Sequence, residues 1–328
     1  MQRTAIDLHA HWYPQEWIAL LEREGAGHGG AVSRKGGMTH ISGGGIANNI
    51  DDSFIDLDLR LRKMDAAKVD VHVLSLTAPM VHWAPPQLGI ALAQCYNDAA
   101  SAAHRRYPTR FYGAASLPWQ APELAVRELD RCATLPGIRA IYLGTNINGA
   151  ELDEKALWPV YEKAQALGWP ILLHPLRTIG PDRTERYYLK NLLGNPYDTG
   201  VAAAHLIFGG VLEAFPRLEV MLPHAGGTLI ALIGRLDHGT RVRPELKHMP
   251  RLPSEYLRRF TYDTISHNDQ LTLNLVRMVG ADRVTLGSDY CFDMGYEQPV
   301  DVIQRLDLPQ SDRDLMIGGN AARLIGLS

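Results

Sequence analysis

With 328 residues, 46% of them hydrophobic, the chain can bury a large core, and its length is ordinary for a single α/β barrel. A net charge of −3 offers no basic face to nucleic acid or to an anionic membrane surface. Cys95, Cys132 and Cys291 are scattered without CxxC spacing, which suggests neither a disulfide framework nor a thiolate metal site and suits a reducing cytosol; neither a signal-peptide pattern nor a membrane-length apolar run is present.

In chain order, apolar and β-branched runs predict strands over 4–9, 69–76, 110–115, 138–143, 170–174, 218–223, 260–262 and 284–287. Between them the helical period predicts helices over 56–67, 87–107, 121–134, 153–167, 198–215, 228–238 and 268–279. Eight strands alternating with helices predict a (β/α)8 TIM barrel spanning 1–328 as one domain. A Rossmann sheet is the rival, but no GxGxxG follows an early strand, and "HISGGGIAN" reads as a loop. Residues 13–55 break the alternation. Their glycines and two short strand-like runs, 31–35 and 38–42, predict a hairpin lid inserted after the first strand. From Pro299 onward the chain reads as helices closing the barrel, with Ser311 as a candidate N-cap.

The chemistry concentrates at strand ends. In "IDLHAHWYP", His9 and His11 are two residues apart and therefore point the same way from a strand. "ILLHP" ends the fifth strand with His174, "VMLPHAGG" places His224 after the sixth, and "VTLGSDY" places Asp289 after the eighth. The C-terminal strand ends of such a barrel meet at one mouth, where active sites sit. Four imidazoles and a carboxylate converging there read as a divalent-metal centre. A lone histidine after an apolar run is more often a hydrogen-bonded structural residue. That reading holds for His28, His40, His72, His104, His205, His238 and His248, with His82 and His267 as loop residues nearer the mouth.

These motifs, together with "MDAAKVDVHVLS", "HAGGTLIALIGRLD", "PSEYLRRFTYDT" and "GGNAARLIGL", resemble the amidohydrolase superfamily, and within it the 2-amino-3-carboxymuconate-6-semialdehyde decarboxylase branch, over nearly the whole chain. The resemblance implies one Zn²⁺ bound by His9, His11, His174 and Asp289 with a water, and His224 as general acid/base beside it. "IYLGTN" carries no lysine at the end of strand four, which fits a single ion; His9, where related decarboxylases have Glu and use Mn²⁺, favours zinc. The resemblance also implies a homodimer in which Arg235 reaches a substrate carboxylate in the partner subunit. The branch's second carboxylate-binding arginine falls at or beside Asn48 and Asn49, and its pocket tryptophan falls near Asn191; neither is present here. The substrate therefore carries fewer or differently placed acidic groups. Arg34, Lys35 and Arg177 are candidate replacements for the missing charge. Trp12, Tyr13, Asn146, Tyr187, Asn195 and Phe292 are further pocket candidates, Trp12 and Tyr13 by stacking on a planar substrate. The expected activity is non-oxidative decarboxylation of a small aromatic or conjugated carboxylic acid. The alternative is hydrolysis or hydration of a lactone, amide or carbon–carbon bond at the same centre; a non-catalytic metal-binding protein is the third reading.

Overall fold

The computed structural model describes residues 4–327. Eight parallel strands form one sheet in the order β1 (Ile6–His11), β5 (Val71–Ser75), β6 (Phe111–Ser116), β7 (Ile138–Gly144), β8 (Ile171–His174), β9 (Val220–Leu222), β10 (Phe260–Asp263) and β11 (Val284–Thr285). Every strand predicted from the apolar runs is present, with ends that differ by one or two residues. The last strand closes on the first: Leu8 N–H donates to Leu286 O at 3.3 Å, Asp289 N–H to His9 O at 2.9 Å and His11 N–H to Tyr290 O at 2.6 Å. The sheet is thereby a TIM barrel. Helices cover the outer face of the strands and the packed barrel interior covers the inner one, which is why the strands read as near-continuous apolar runs rather than alternating ones.

The barrel interior is filled by Ile6, Leu8, Val71, Val73, Ala114, Ala140, Tyr142, Leu172 and Met221. The pairing of β1 with β5 runs Ile6 to Val71 and Asp7 to His72, then Ala10 to Leu74, so β1 carries one extra residue. Such a bulge breaks strict alternation. It lets His9 and His11 join the interior face already occupied by Ile6 and Leu8.

The insertion holds more than the expected hairpin. After a helix, α1 (Gln15–Glu24), it forms a three-stranded antiparallel sheet of β2 (Gly30–Lys35), β3 (Met38–Gly43) and β4 (Ile46–Ile50). Both turns are two-glycine turns, Gly36–Gly37 and Gly44–Gly45, with all four φ positive, as tight hairpins of the right twist require. The stretch read as a loop, "HISGGGIAN", is therefore the second hairpin, and Asn48 lies on the strand face shared by the buried Ile46 and Ile50.

The helices expected over 56–67, 87–107, 121–134 and 153–167 are α2 (Leu57–Ala66), α3 (Pro86–Arg106), α4 (Pro122–Cys132) and α5 (Trp158–Leu167), whereas the one expected over 198–215 starts earlier and is divided into α6 (Asn195–Phe208) and α7 (Val211–Ala214), separated by Gly209 and a left-handed Gly210. The helix after β9, α8, covers Leu229–Val242, and α9 covers Asp269–Val279, capped by the Asn268 side chain. Ser311 is not an N-cap. Pro309 is the extended residue before the helix Gln310–Asp314, and Ser311 already lies inside it.

Candidate metal centre

The five residues read from strand ends meet in one cluster at the barrel mouth. The imidazole centroids of His11 and His174 are 4.8 Å apart, those of His9 and His174 5.2 Å, and those of His9 and His224 5.4 Å. Asp289 is the hub. Its Oδ1 lies 2.9 Å from His11 Nε2 and 3.3 Å from His9 Nε2, and its Oδ2 lies 3.7 Å from His224 Nε2. His9, His174, His224 and Asp289 each offer a donor atom, all within 4.8 Å of one another; His11 joins that group through Asp289.

Neighbouring groups set the ring orientations. Ser75 Oγ donates to Ala10 O, so it accepts from His11 Nδ1–H at 3.0 Å. His174 Nδ1–H donates to Pro175 O at 2.9 Å, and His9 Nδ1–H donates to Asp263 Oδ2 at 2.8 Å. In each case Nδ1 holds the hydrogen and Nε2 is left with its lone pair toward the cluster, as metal-binding imidazoles are usually arranged. His9 Nε2 is buried with no hydrogen-bond partner among the described residues, an orphan that a divalent ion would satisfy. His224 differs: its Nδ1 is buried and unpartnered, and its side chain is 15% exposed, against 6% or less for His9, His11 and Asp289. His224 sits at a positive φ in the turn after β9, with Ala225 beside it also left-handed. Asp263 Oδ1 accepts the Ala225 N–H at 2.8 Å and so ties that turn to His9.

The electrostatics follow from burial and from the packing of charges. Burial opposes a charge on His9, but without an ion Asp289 and Asp263 on either side raise it to about 10, so its Nε2 lone pair is free for a metal only when the dication takes the place of the Nε2 proton beside Asp289. Burial pushes His11 down to about 4 and His174 well below its ordinary value. Burial would raise Asp289, yet His9, His11 and His224 around it hold it well below the usual carboxylate range. A buried cluster with two neutral imidazoles and an ionised carboxylate is chemically suited to a dication.

Two cavities open from this centre, both touching His224, Asp289, Asn191 and Asn195. The larger, about 690 Å³, runs toward α9 past His267 to Arg277. The smaller, about 340 Å³, lies under β4 and is lined by Asn48, His174, Tyr188, Lys190 and Phe292. Several expected pocket residues are placed elsewhere. Trp12 is buried and donates from Nε1 to Ile55 O at 2.9 Å. Tyr13 is fully buried against Trp17 and Phe54; its hydroxyl donates to Ala78 O and accepts from Asn48 Nδ2. Neither ring faces a cavity at the centre, because the chain turns into the core directly after His11. Arg177 Nη2 donates to Gly44 O and fastens the second glycine turn, and Arg34 pairs with Glu22 on the surface. Lys35 is exposed at the hairpin tip and Asn49 accepts from His40. Asn146 is tied to Arg177 O and Asp198, and Tyr187 is 74% exposed. Arg235 is exposed on α8 and lines neither cavity. Asn48, Asn195 and Phe292 do line the smaller one. Sequence reasoning missed Asp263, Ser75, Tyr188 and Lys190. The first was within reach, since "TYD" ends the seventh strand as "LLH" ends the fifth.

The family model for amidohydrolases matches residues 6–327. A 2-amino-3-carboxymuconate-6-semialdehyde decarboxylase from Dictyostelium discoideum is 36% identical, covering 98% of this chain and 91% of the relative. A gamma-resorcylate decarboxylase from Polaromonas sp. is 31% identical over 83% of this chain and 87% of the relative. Among solved structures, a dihydroxybenzoic acid decarboxylase from Polaromonas sp. JS666, with bound manganese and the inhibitor 2-nitroresorcinol, superimposes with a TM-score of 0.80 at 25% identity, covering 99% of this chain and 98% of that one.

Proposed function

The chain belongs to the amidohydrolase family, and on that footing we propose that it is a zinc-dependent, non-oxidative decarboxylase of a small aromatic or conjugated carboxylic acid. The division of labour among four imidazoles carries this reading. His9, His11 and His174 are locked at Nδ1 with Nε2 facing Asp289, whereas His224 has no such lock. We therefore assign the ion to His9, His11, His174 and Asp289, and the proton work to His224. Three imidazoles and one carboxylate suit Zn²⁺ ahead of Mn²⁺.

When bound, the ion supplies positive charge that stabilises the charge developing on the conjugated substrate. The remaining work belongs to the protein. The bond between the substrate carbon and its carboxylate breaks, CO₂ leaves, and the electron pair stays on carbon. That carbon takes a proton carried on His224 Nε2, which lies 3.7 Å from Asp289 Oδ2 at the mouth of the cluster. The histidine is then reprotonated from solvent through the cavity that it lines.

Turnover of candidate ring acids in D₂O tests this. The expected product carries deuterium at the former carboxyl carbon, with CO₂ released. Oxygen from labelled water in a cleaved or hydrated product, with no CO₂, would reassign the chain to hydrolysis or hydration. Further support concerns setting and assembly. Three free cysteines fit a reducing, cytoplasmic compartment. Arg235 and its neighbour Leu232 are exposed on α8, which fits a homodimer in which Arg235 serves the partner's substrate. No helix among the described residues is long and apolar enough to cross a membrane.

A further inference from the structure

We propose that Lys190 is the specificity-determining residue that pairs with a second acidic group of the substrate, one that stays on the molecule when CO₂ leaves. This rests on the carboxy-lyase reading above and narrows its substrate to ring or conjugated acids bearing two acidic groups.

Lys190 opens the π-helical turn Lys190–Gly194 that leads into α6 and lines the smaller cavity, together with His174, His224 and Asp289. Its ammonium has no hydrogen-bond or ion-pair partner among the described residues, and Glu185, which lines the same cavity, makes no ion pair with it. The other cations nearby are committed. Arg60 is buried and donates to His11 O with its guanidinium over Tyr290, and Arg177 holds Gly44 O. Arg186 lies on Tyr187, and Arg34 is on Glu22. Arg277 lines only the larger cavity and bonds Asn274 Oδ1. A lysine that lines a cavity beside the cluster and has no anionic partner among the described residues is available to an anion bound there. At about 340 Å³ the cavity is at the small end of ligand pockets, roughly 300–1,000 Å³, which suits a single substituted ring.

Chemistry decides which acidic group the lysine takes. As CO₂ departs, negative charge drains from the leaving carboxylate into the conjugated system. A cation paired with that carboxylate would hold the ground state more tightly than the transition state and slow the reaction. A cation paired with a retained acidic group orients the substrate at no such cost.

The test measures binding of isophthalate and of benzoate to the zinc-loaded protein by calorimetry, in wild type, K190M, K190R and R277M. Wild type is expected to prefer the diacid; K190M should lose about 10- to 100-fold in diacid affinity, the scale of a charge-assisted hydrogen bond, while binding benzoate within about twofold of wild type. K190R should retain the preference. No diacid preference in wild type, equal losses for both ligands in K190M, no loss in K190M, or a preference erased by R277M instead would each overturn the proposal. Lys190 is exposed, so K190M is expected to fold, and an unchanged melting temperature in K190R and K190M confirms that any loss is local. Lysine-dependent diacid binding without CO₂ release from any acid would remove the carboxy-lyase reading and reduce Lys190 to an anion-binding residue; CO₂ release with no effect in K190M would overturn the role of Lys190 and leave that reading in place.

Discussion

His224 is the residue on which the proposed chemistry turns, because it is in the cluster without being fastened to it. Its Nδ1 lacks the partner that His9, His11 and His174 each have, and its backbone stands at a positive φ that an L-residue adopts only when its surroundings hold it there. His224→Asn should keep most of the bound metal and lower turnover by about 10²–10⁴, the usual scale for a lost general acid or base. Metal analysis and initial rates check this together; normal turnover would move the proton work to another group, and full metal loss would make His224 a ligand. The residues of the cluster were legible because chemistry this demanding leaves few residue types to choose from, and because strand ends in a barrel converge whatever lies between them. The pocket residues were not. Trp12 and Tyr13 follow the ligands in sequence, but proximity along the chain says nothing about facing once a strand has ended. Lys190 was invisible since it opens a single wide helical turn, Lys190–Gly194, too short to show a period.

At the level of elements, the β1 bulge and the end of β10 do the positioning. A period-two reading correctly puts His9 and His11 on one side, yet from Leu8 it would send both away from the interior; the extra residue brings them back. Nothing in the local composition announces such a bulge, since it answers to pairing with β5 and β11. The third strand of the insertion was missed for a different reason. "IANNI" is poor in strand-forming residues, and only its double-glycine turn, paired with an earlier one, carries the signal. Asp263 shows what the end of one strand can join: its carboxylate accepts from His9 Nδ1 on β1 and from the Ala225 N–H after β9. Asp263→Asn should weaken metal affinity by roughly 10- to 100-fold, as outer-shell substitutions usually do, and should disorder the His224 turn as well. Competition with a chelator measures the first; unchanged affinity would mean that His9 needs no anchor.

For the molecule as a whole, assembly and acid stability give two further expectations. If Arg235 serves the partner's substrate, a mixture of inactive His224→Asn chains with inactive Arg235→Ala chains should recover part of the activity, because a two-fold dimer then contains one intact site. No recovery after demonstrated subunit exchange would confine Arg235 to its own chain. Acid should destabilise the fold in part through His82. It is 2% exposed with neither ring nitrogen partnered among the described residues, and burial pushes it down to about 4. Unfolded, it titrates near ~6.5, so between these values the unfolded chain takes up a proton that the folded one refuses. The contribution is present above pH 6.5 and is lost as pH falls toward 4, on the order of 3 kcal/mol. Denaturant melts across that range should show a shallower pH slope in His82→Gln; an identical slope would clear His82 of the effect.

The seam at which β11 closes onto β1 runs through the proposed metal centre itself, since Asp289 donates its amide to His9 O and Tyr290 accepts from His11. This sets a timetable for biosynthesis. His9 and His11 leave the ribosome about 280 residues ahead of Asp289, which at ~5–20 residues per second is a wait of roughly 15–60 seconds. Throughout that interval the edge of β1 away from β5 is unpaired and its imidazoles have no Asp289 to meet, so the nascent chain has an open sheet and an incomplete centre. Metallation is therefore a late event that follows barrel closure, and the vulnerable species in the cell is the seven-stranded one, an open sheet with a bare edge that invites pairing with another chain.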